Sequence, residues 1–414
     1  MKTKEILDTA AARADEAARG RHVLILQDTT EINYEAKAER KRHLGKVGNG
    51  EDIGLFAHPA LIVDAADGMV LGLAGAKIWR RTKVKAKKYQ QLPIEKKESF
   101  RWLDTAMTAR KRLSGAAMAT VIGDREADIY ELFARVPDAR THILIRAEHN
   151  RALAGPRQRK GRKDDEGEQV LRLFDALSAQ PEAGRIRFEL EGRPGRAKRT
   201  VTLAVRYATV ALRQPATGAD RRDPKSVTLQ AIEAREIDAP PDEEPILWRL
   251  LTTHPIAWLE DASRLIDLYR LRWLIEQLFR ILKSRGLDIE DSLLAEGRAL
   301  ENFAATTLIA AAQVMQLVQG RGEKGEARKA SLVFTAAEIA VVKAVVKKFE
   351  GQTLKQKNPY KPASLAWAAW AIARLGGWKG YATERPPGPI TFANGLKRFH
   401  AMREGYDLAT IRSS

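Results

Sequence analysis

The segment YRLRWLIEQLFRILKSRG, residues 269–286, aims Tyr269, Arg272, Glu276, Arg280 and Lys283 the same way if it is helical. A helix turns about 100° per residue, so these five fall within a wedge of roughly 80°. Leu271, Leu274, Ile275, Leu278, Ile281 and Leu282 fall on the opposite side, which predicts an amphipathic helix with a buried apolar face and an exposed polar row. Two chemistries are open to that row. Glu276 can pair with Arg272 and Arg280 on a solvated face, for a few tenths of a kcal/mol per pair. Alternatively, Glu276 is an oxygen ligand flanked by cations that hold phosphates. Two further carboxylates bear on the choice. Asp28 ends the apolar run HVLILQD (22–28), and Asp124 ends MATVIGD (118–124). Strand ends are where loops build pockets, although either Asp alone would serve as a helix cap or turn residue. Together, three hard oxygen donors from separate elements, in a chain without cysteine, are what Mg²⁺ or Mn²⁺ prefers. Two such ions can activate a water or hydroxyl and steady the leaving oxygen of an in-line phosphoryl transfer. Arg272 and Lys283 would then hold phosphates beside them.

The elements that must position these residues follow from apolar patterning. Residues 1–19 have helical period. HVLILQD is a buried strand, and 54–79 is a hairpin turning at AADG. ESFRWLDTAMTARKRL (98–113) is helical. MATVIGDREADIYELFARV (118–136) is a strand followed by a helix with acidic residues in its first turn, where Glu126 and Asp128 suit the helix start. THILIRA (141–147) is another strand. Residues 148–170 are polar and basic, a loop. From 184 to 236 the pattern alternates, as in antiparallel strands solvated on one face. APPDEEP (239–245) is a linker and ILWRLLTT (246–253) a strand. Helical patterns then run to the end.

Composition narrows the function. The chain has 414 residues, with 71 Lys and Arg against 53 Asp and Glu, a net charge of +18. A surplus of that size suits a polyanionic partner, nucleic acid before membrane. The absence of cysteine excludes disulfides, thiolate zinc sites and cysteine nucleophiles, and it fits a reducing cytoplasm. The first twenty residues lack the apolar core of a signal peptide, and no uncharged apolar run is long enough to predict a membrane span. Two basic segments, KIWRRTKVKAKK (77–88) and RQRKGRK (157–163), suit either DNA contact or solvated loops.

Three blocks carry a resemblance. ILQDTTEINY (25–34), IGDREADIYELF (122–133) and YRLRWLIEQLFRILK (269–283) resemble, in order, the catalytic blocks of the DDE transposases of the insertion-sequence-four family, the group that includes the transposase of transposon five. The third fits the family's Y-x2-R-x3-E-x6-K signature with Tyr269, Arg272, Glu276 and Lys283. The resemblance implies an α/β protein with an RNase H-like catalytic core, interrupted by a β-strand insertion and followed by an all-α C-terminal region. Residues 1–150 and 246–300 would form the core, 151–245 the insertion, and 301–414 the helical region, which would pair two copies. It implies two divalent ions, Mg²⁺ with Mn²⁺ as a substitute, held by Asp28, Asp124 and Glu276. It implies nicking of double-stranded DNA at transposon ends, hairpin formation, reopening and strand transfer by a homodimer on DNA. Arg146, Tyr269, Arg272 and Lys283 would grip phosphates, and Trp248 and Trp273 would manage a flipped base. The implied location is cytoplasmic, at the nucleoid when DNA-bound.

One departure is visible. Relatives carry a long helical stretch before the first catalytic Asp, which helps read the transposon end, whereas here Asp28 comes early. The expectations are a start inside a longer chain, a member that reads its ends otherwise, or a shortened regulatory inhibitor. A metal-dependent RNase H-like nuclease is a further alternative.

Overall fold

The computed structural model describes residues 2–411 except 49, 82–88, 155–170, 191, 193–196, 217–219, 221, 354–355 and 382–383. The basic segment read at 157–163 lies outside the described residues, as do 82–88 of the segment read at 77–88 and most of the loop read at 148–170. Helix α1 (Thr3–Ala18) leads into β1 (His22–Gln27), and after two residues β2 (Thr30–Asn33) follows. The short β3 (Gly45–Lys46) precedes the hairpin of β4 (Ile53–Asp64) and β5 (Val70–Trp79). Next come α2 (Phe100–Arg112), β6 (Met118–Gly123), α3 (Tyr130–Arg135) and β7 (Thr141–Arg146). The β-rich stretch holds α4 (Leu173–Ser178), β8 (Gly184–Leu190), β9 (Arg199–Arg213) and β10 (Ser226–Ile237), and β11 (Leu247–Thr252) returns from it. Helices α5 (Leu259–Arg270), α6 (Trp273–Lys283), α7 (Gly297–Gln319), α8 (Glu323–Glu326), α9 (Ala336–Phe349), α10 (Leu365–Leu375) and α11 (Pro389–Ile411) complete the chain.

All the strands join one mixed sheet in the order β2-β4-β1-β6-β7-β11-β10-β9-β8, with β3 and β5 also paired to β4. Strands β1, β6 and β7 are parallel, and β4 runs antiparallel to β1. Parallel strands of this kind are covered on both faces, which is why β1 reads as an unbroken apolar run. Leu24, Leu26, Ile122 and Leu144 pack toward α5 to α11. Val23, Ile25, Val121 and Ile143 pack toward α1, α2 and α3. A three-strand antiparallel meander leading into parallel crossovers, with helices on both sides, is the RNase H-like arrangement. Strands β8 to β10 extend the same sheet through β11, which pairs antiparallel with β7. In β8 alternate side chains are exposed, as its alternating sequence predicts. The β4–β5 turn needs its glycine, since Gly68 has φ +74°. No helix among the described residues is long and apolar enough to cross a membrane.

The amino-end edge of the parallel strands buries a histidine cluster. The Thr120 hydroxyl lies 2.8 Å from Nε2 of both His22 and His254. The His142 ring stacks on His254 at 4.0 Å between centroids. Burial lowers all three imidazoles, and His254, with His142, His22 and Arg264 adding repulsion, is brought down to about 3. The unfolded chain therefore binds protons that the folded chain refuses, below the ordinary histidine value near 6.5. Stability should fall as pH drops from 7.5 through 6.5 toward 3. Thermal unfolding at pH 7.5 and 5.5 should show a drop of several degrees, and His254→Gln should make that drop smaller.

Candidate active site

The register of the parallel strands builds the site. Leu26 pairs with Ile122, and Gly123 pairs with Ile145. Carried past the strand ends, the same register sets Asp28, Asp124 and Arg146 side by side. They occupy the carboxyl edge of the parallel strands, where open α/β sheets bind ligands. Asp28 lies in the two-residue break between β1 and β2, both of which pair along β4. Each Asp also caps its own turn: Thr29 N–H donates to Asp28 Oδ1 at 2.7 Å, and Glu126 N–H donates to Asp124 Oδ1 at 2.9 Å. The turn after Asp124 folds back closely, for a Cβ on Gly123 would stand 2.5 Å from that of Ala127. Only glycine permits that approach. The Asp28 carboxyl is pushed up to about 6, first by burial and then by the charge of Asp124, against the Thr29 N–H and Arg272.

Residues 269–283 do not form the single helix expected. Helix α5 ends at Arg270 and α6 begins at Trp273. Across the join, the N–H groups of Leu271, Arg272, Leu274 and Ile275 each bond a carbonyl three residues back, at 2.9–3.2 Å. This tighter pitch turns the chain. Tyr269 thus stands on a different helix from Glu276, and it is buried at 4% exposure rather than lying on an open row. Its ring meets Trp248 edge-on at 5.8 Å. Arg272 reaches from the join to Asp28 Oδ2 at 3.2 Å and also pairs with Glu276. One guanidinium therefore ties two of the three carboxylates together. Burial raises the Tyr269 hydroxyl, with Asp124 adding to the rise and Arg272 and Arg146 opposing it. Arg146, lowered first by burial, donates to the Leu247 carbonyl at 3.0 Å.

The remaining expected residues lie at the margin or beyond it. Trp273 is 46% exposed, and the Arg280 guanidinium lies over its ring at 5.9 Å, so Arg280 sits with Trp273 rather than with Glu276. Trp248 is half-buried, stacked with Phe188 at 6.1 Å. Lys283, at the far end of α6, pairs with Glu290 at 3.2 Å, and Glu290 also accepts the Asn33 N–H at 3.0 Å. Asp28, Asp124, Arg146, Tyr269, Arg272 and Glu276 therefore come together, while Lys283 stands apart along β2. Among the described residues, no three carboxylate or imidazole groups form a ready-made metal nest. Arg272 is interposed between Asp28 and Glu276 instead.

Several residues here had no signal in the sequence. The Arg101 guanidinium donates to the Thr29 hydroxyl at 2.9 Å and to Glu126 at 2.5 Å. Asp128 was expected to serve the helix start. Its buried carboxylate instead accepts from the Glu148 and His149 N–H groups at 2.9 and 2.8 Å and from Arg151 Nε at 2.8 Å. It fastens the chain leaving β7 to the turn after β6.

A family model described as a transposase DDE domain matches residues 95–312, more than half of the chain. The chain belongs to the DDE transposase family. The matched span holds Asp124, Arg146, Trp248, Tyr269, Arg272, Trp273, Glu276 and Lys283, and it encloses the whole β-rich stretch of this transposase. Asp28 precedes the span and reaches the others through the pairing of β1 with β6. Asp128→Ala in the transposase strands the buried Arg151 and two N–H groups. It should cost about 3–5 kcal/mol, read as a lower denaturant midpoint in equilibrium unfolding.

Proposed function

We propose that this DDE transposase is a cut-and-paste enzyme of the insertion-sequence-four group. It nicks double-stranded DNA at transposon ends, forms hairpins and transfers the strands into target DNA. In this reading Asp28, Asp124 and Glu276 hold two divalent ions, Mg²⁺ or in its place Mn²⁺. The observation that carries it is Asp28 set beside Asp124 across parallel strands, with Arg272 linking Asp28 to Glu276. The donor set suits such ions, being carboxylate oxygens without sulfur. Burial first and the charge of Asp124 second raise Asp28, and a cation bound there would offset both. Bound there, the ions would supply Lewis acidity for the attacking water or hydroxyl and for the leaving oxygen.

The side chains divide the remaining work. Arg272 neutralises Asp28 and Glu276 in the protein alone. Once those charges are otherwise balanced, its planar fork is free to take two phosphate oxygens. Arg146 and the Tyr269 hydroxyl donate beside it. Lys283 meets the backbone farther along the duplex, within reach of β2. Trp273 offers an exposed face for an extruded base, worth about 1–3 kcal/mol of stacking. Trp248 backs Tyr269 from the sheet side. Helices α7 to α11 would pair two copies into a homodimer on DNA.

Glu276→Gln should reduce metal-dependent nicking of end DNA to background on a denaturing gel while leaving DNA affinity within about twofold, since a ligand charge and no phosphate-binding cation is lost. Nicking at the wild-type rate would refute the assignment. Trp273→Ala should slow hairpin formation more than first nicking in a time course, and equal slowing of both steps would reduce Trp273 to packing.

A further inference from the structure

The hydrogen-bonded pairing of β1 with β6 stops at Leu26 and Ile122. Beyond that point two like charges, Asp28 and Asp124, face each other on separate loops. One side chain crosses between those loops. Arg101, in the first turn of α2, has a side chain only 12% exposed. Its Nε donates to Thr29 Oγ1 at 2.9 Å, and Nη2 donates to Glu126 Oε2 at 2.5 Å. Its Nη1 donates to the Glu98 carbonyl at 3.2 Å, and the guanidinium lies over the rings of Trp79 and Trp102 at 5.7 and 5.8 Å. The two acceptor residues are the ones whose backbone N–H groups hold the aspartates, Thr29 for Asp28 and Glu126 for Asp124. The Thr29 hydroxyl is fixed from the other side by Nδ1 of buried His58 at 2.9 Å.

From this geometry we infer that Arg101 is a positioning residue, a strut between the Asp28 and Asp124 loops. Its fork sets their separation against the repulsion of the two carboxylates. The inference rests on the proposed role of these aspartates as metal ligands. A lysine at this position would reach one loop and not both, because an ammonium has no second planar arm. Partners that orient ligands in this way typically change metal affinity by about 10- to 100-fold when removed.

The test uses the full chain without metal, followed by hydrogen exchange and mass spectrometry of peptides covering 25–34 and 122–133. Glu126→Ala is the informative variant, because it removes the acceptor altogether. Glu126 is 61% exposed, so its substitution leaves the core intact. The strut requires that this change in one loop speed exchange in the other loop, at 25–34, with Arg101→Gln doing the same in both. Arg101→Lys should protect one loop only. In nicking assays, Glu126→Ala and Arg101→Gln should raise the half-saturating Mn²⁺ concentration by about 10-fold and leave the rate at saturating Mn²⁺ close to wild type. Wild-type exchange at 25–34 in Glu126→Ala would overturn the strut. Asp28→Asn in the same nicking assay tests the other reading separately. If it still nicks, the aspartate assignment falls whatever the exchange data show, and if it does not, exchange alone decides the strut.

Discussion

Asp28 and Asp124 repel each other, and the rest of the molecule keeps them together. Their adjacency is fixed by the register of β1 on β6, and that register is fixed by the core. Leu24 and Leu26 face one layer of helices, and Val23 and Ile25 face the other. A slip of one residue would exchange these faces and set each side chain into packing shaped for another, so the register is held by how the two cores fill. A sheet buried on both faces can thus hold a like-charge pair at its rim. The Asp28 carboxyl is raised first by burial and then by the charge of Asp124, and Arg272 offsets part of that cost.

The same logic explains the break between α5 and α6. Leu271 and Arg272 keep right-handed helical angles while the pitch tightens, so Arg272 reaches Asp28 from the join, and Trp248 on β11 covers Tyr269. A series of ring contacts then joins the outer strands to the site. The Arg270 guanidinium lies 4.0 Å from the centroid of Phe188 on β8, Phe188 stacks on Trp248, and Trp248 abuts Tyr269. The β-rich stretch is therefore connected to the candidate site through both the sheet and this aromatic path.

What the sequence disclosed was local. The apolar runs ending at Asp28 and Asp124, the hairpin at Gly68 and the alternation of β8 to β10 each state a backbone preference within a few residues. The amphipathic period across 269–283 disclosed helix but hid the break, because no proline or glycine marks it and the apolar spacing continues through Leu271 and Leu274. The burial of Tyr269 was illegible for the same reason, as it depends on where β11 brings Trp248. Arg101 reads as one more arginine in ESFRWLDTAMTARKRL, and Asp128 as one more acidic residue at a helix start. Their partners lie across the fold, at Thr29 and Glu126 for the first and Arg151 for the second, and no local pattern encodes such pairings.

The net charge of +18 gains meaning from how the cations at the site are engaged. Arg272 is bound to two carboxylates, Arg101 to Glu126 and a hydroxyl, Arg146 to a main-chain carbonyl, and Lys283 to Glu290. A phosphate backbone approaching this edge meets these four cations already engaged. It competes with internal acceptors for them, and releasing Arg272 leaves Asp28 and Glu276 uncompensated in a partly buried place, which is costly unless another cation takes over. Nucleic acid and divalent metal would then favour each other's binding here, because each removes the electrostatic penalty that the other creates. Such reciprocity would suit the proposed transposase site, and it follows from the placement of Arg272 between Asp28 and Glu276.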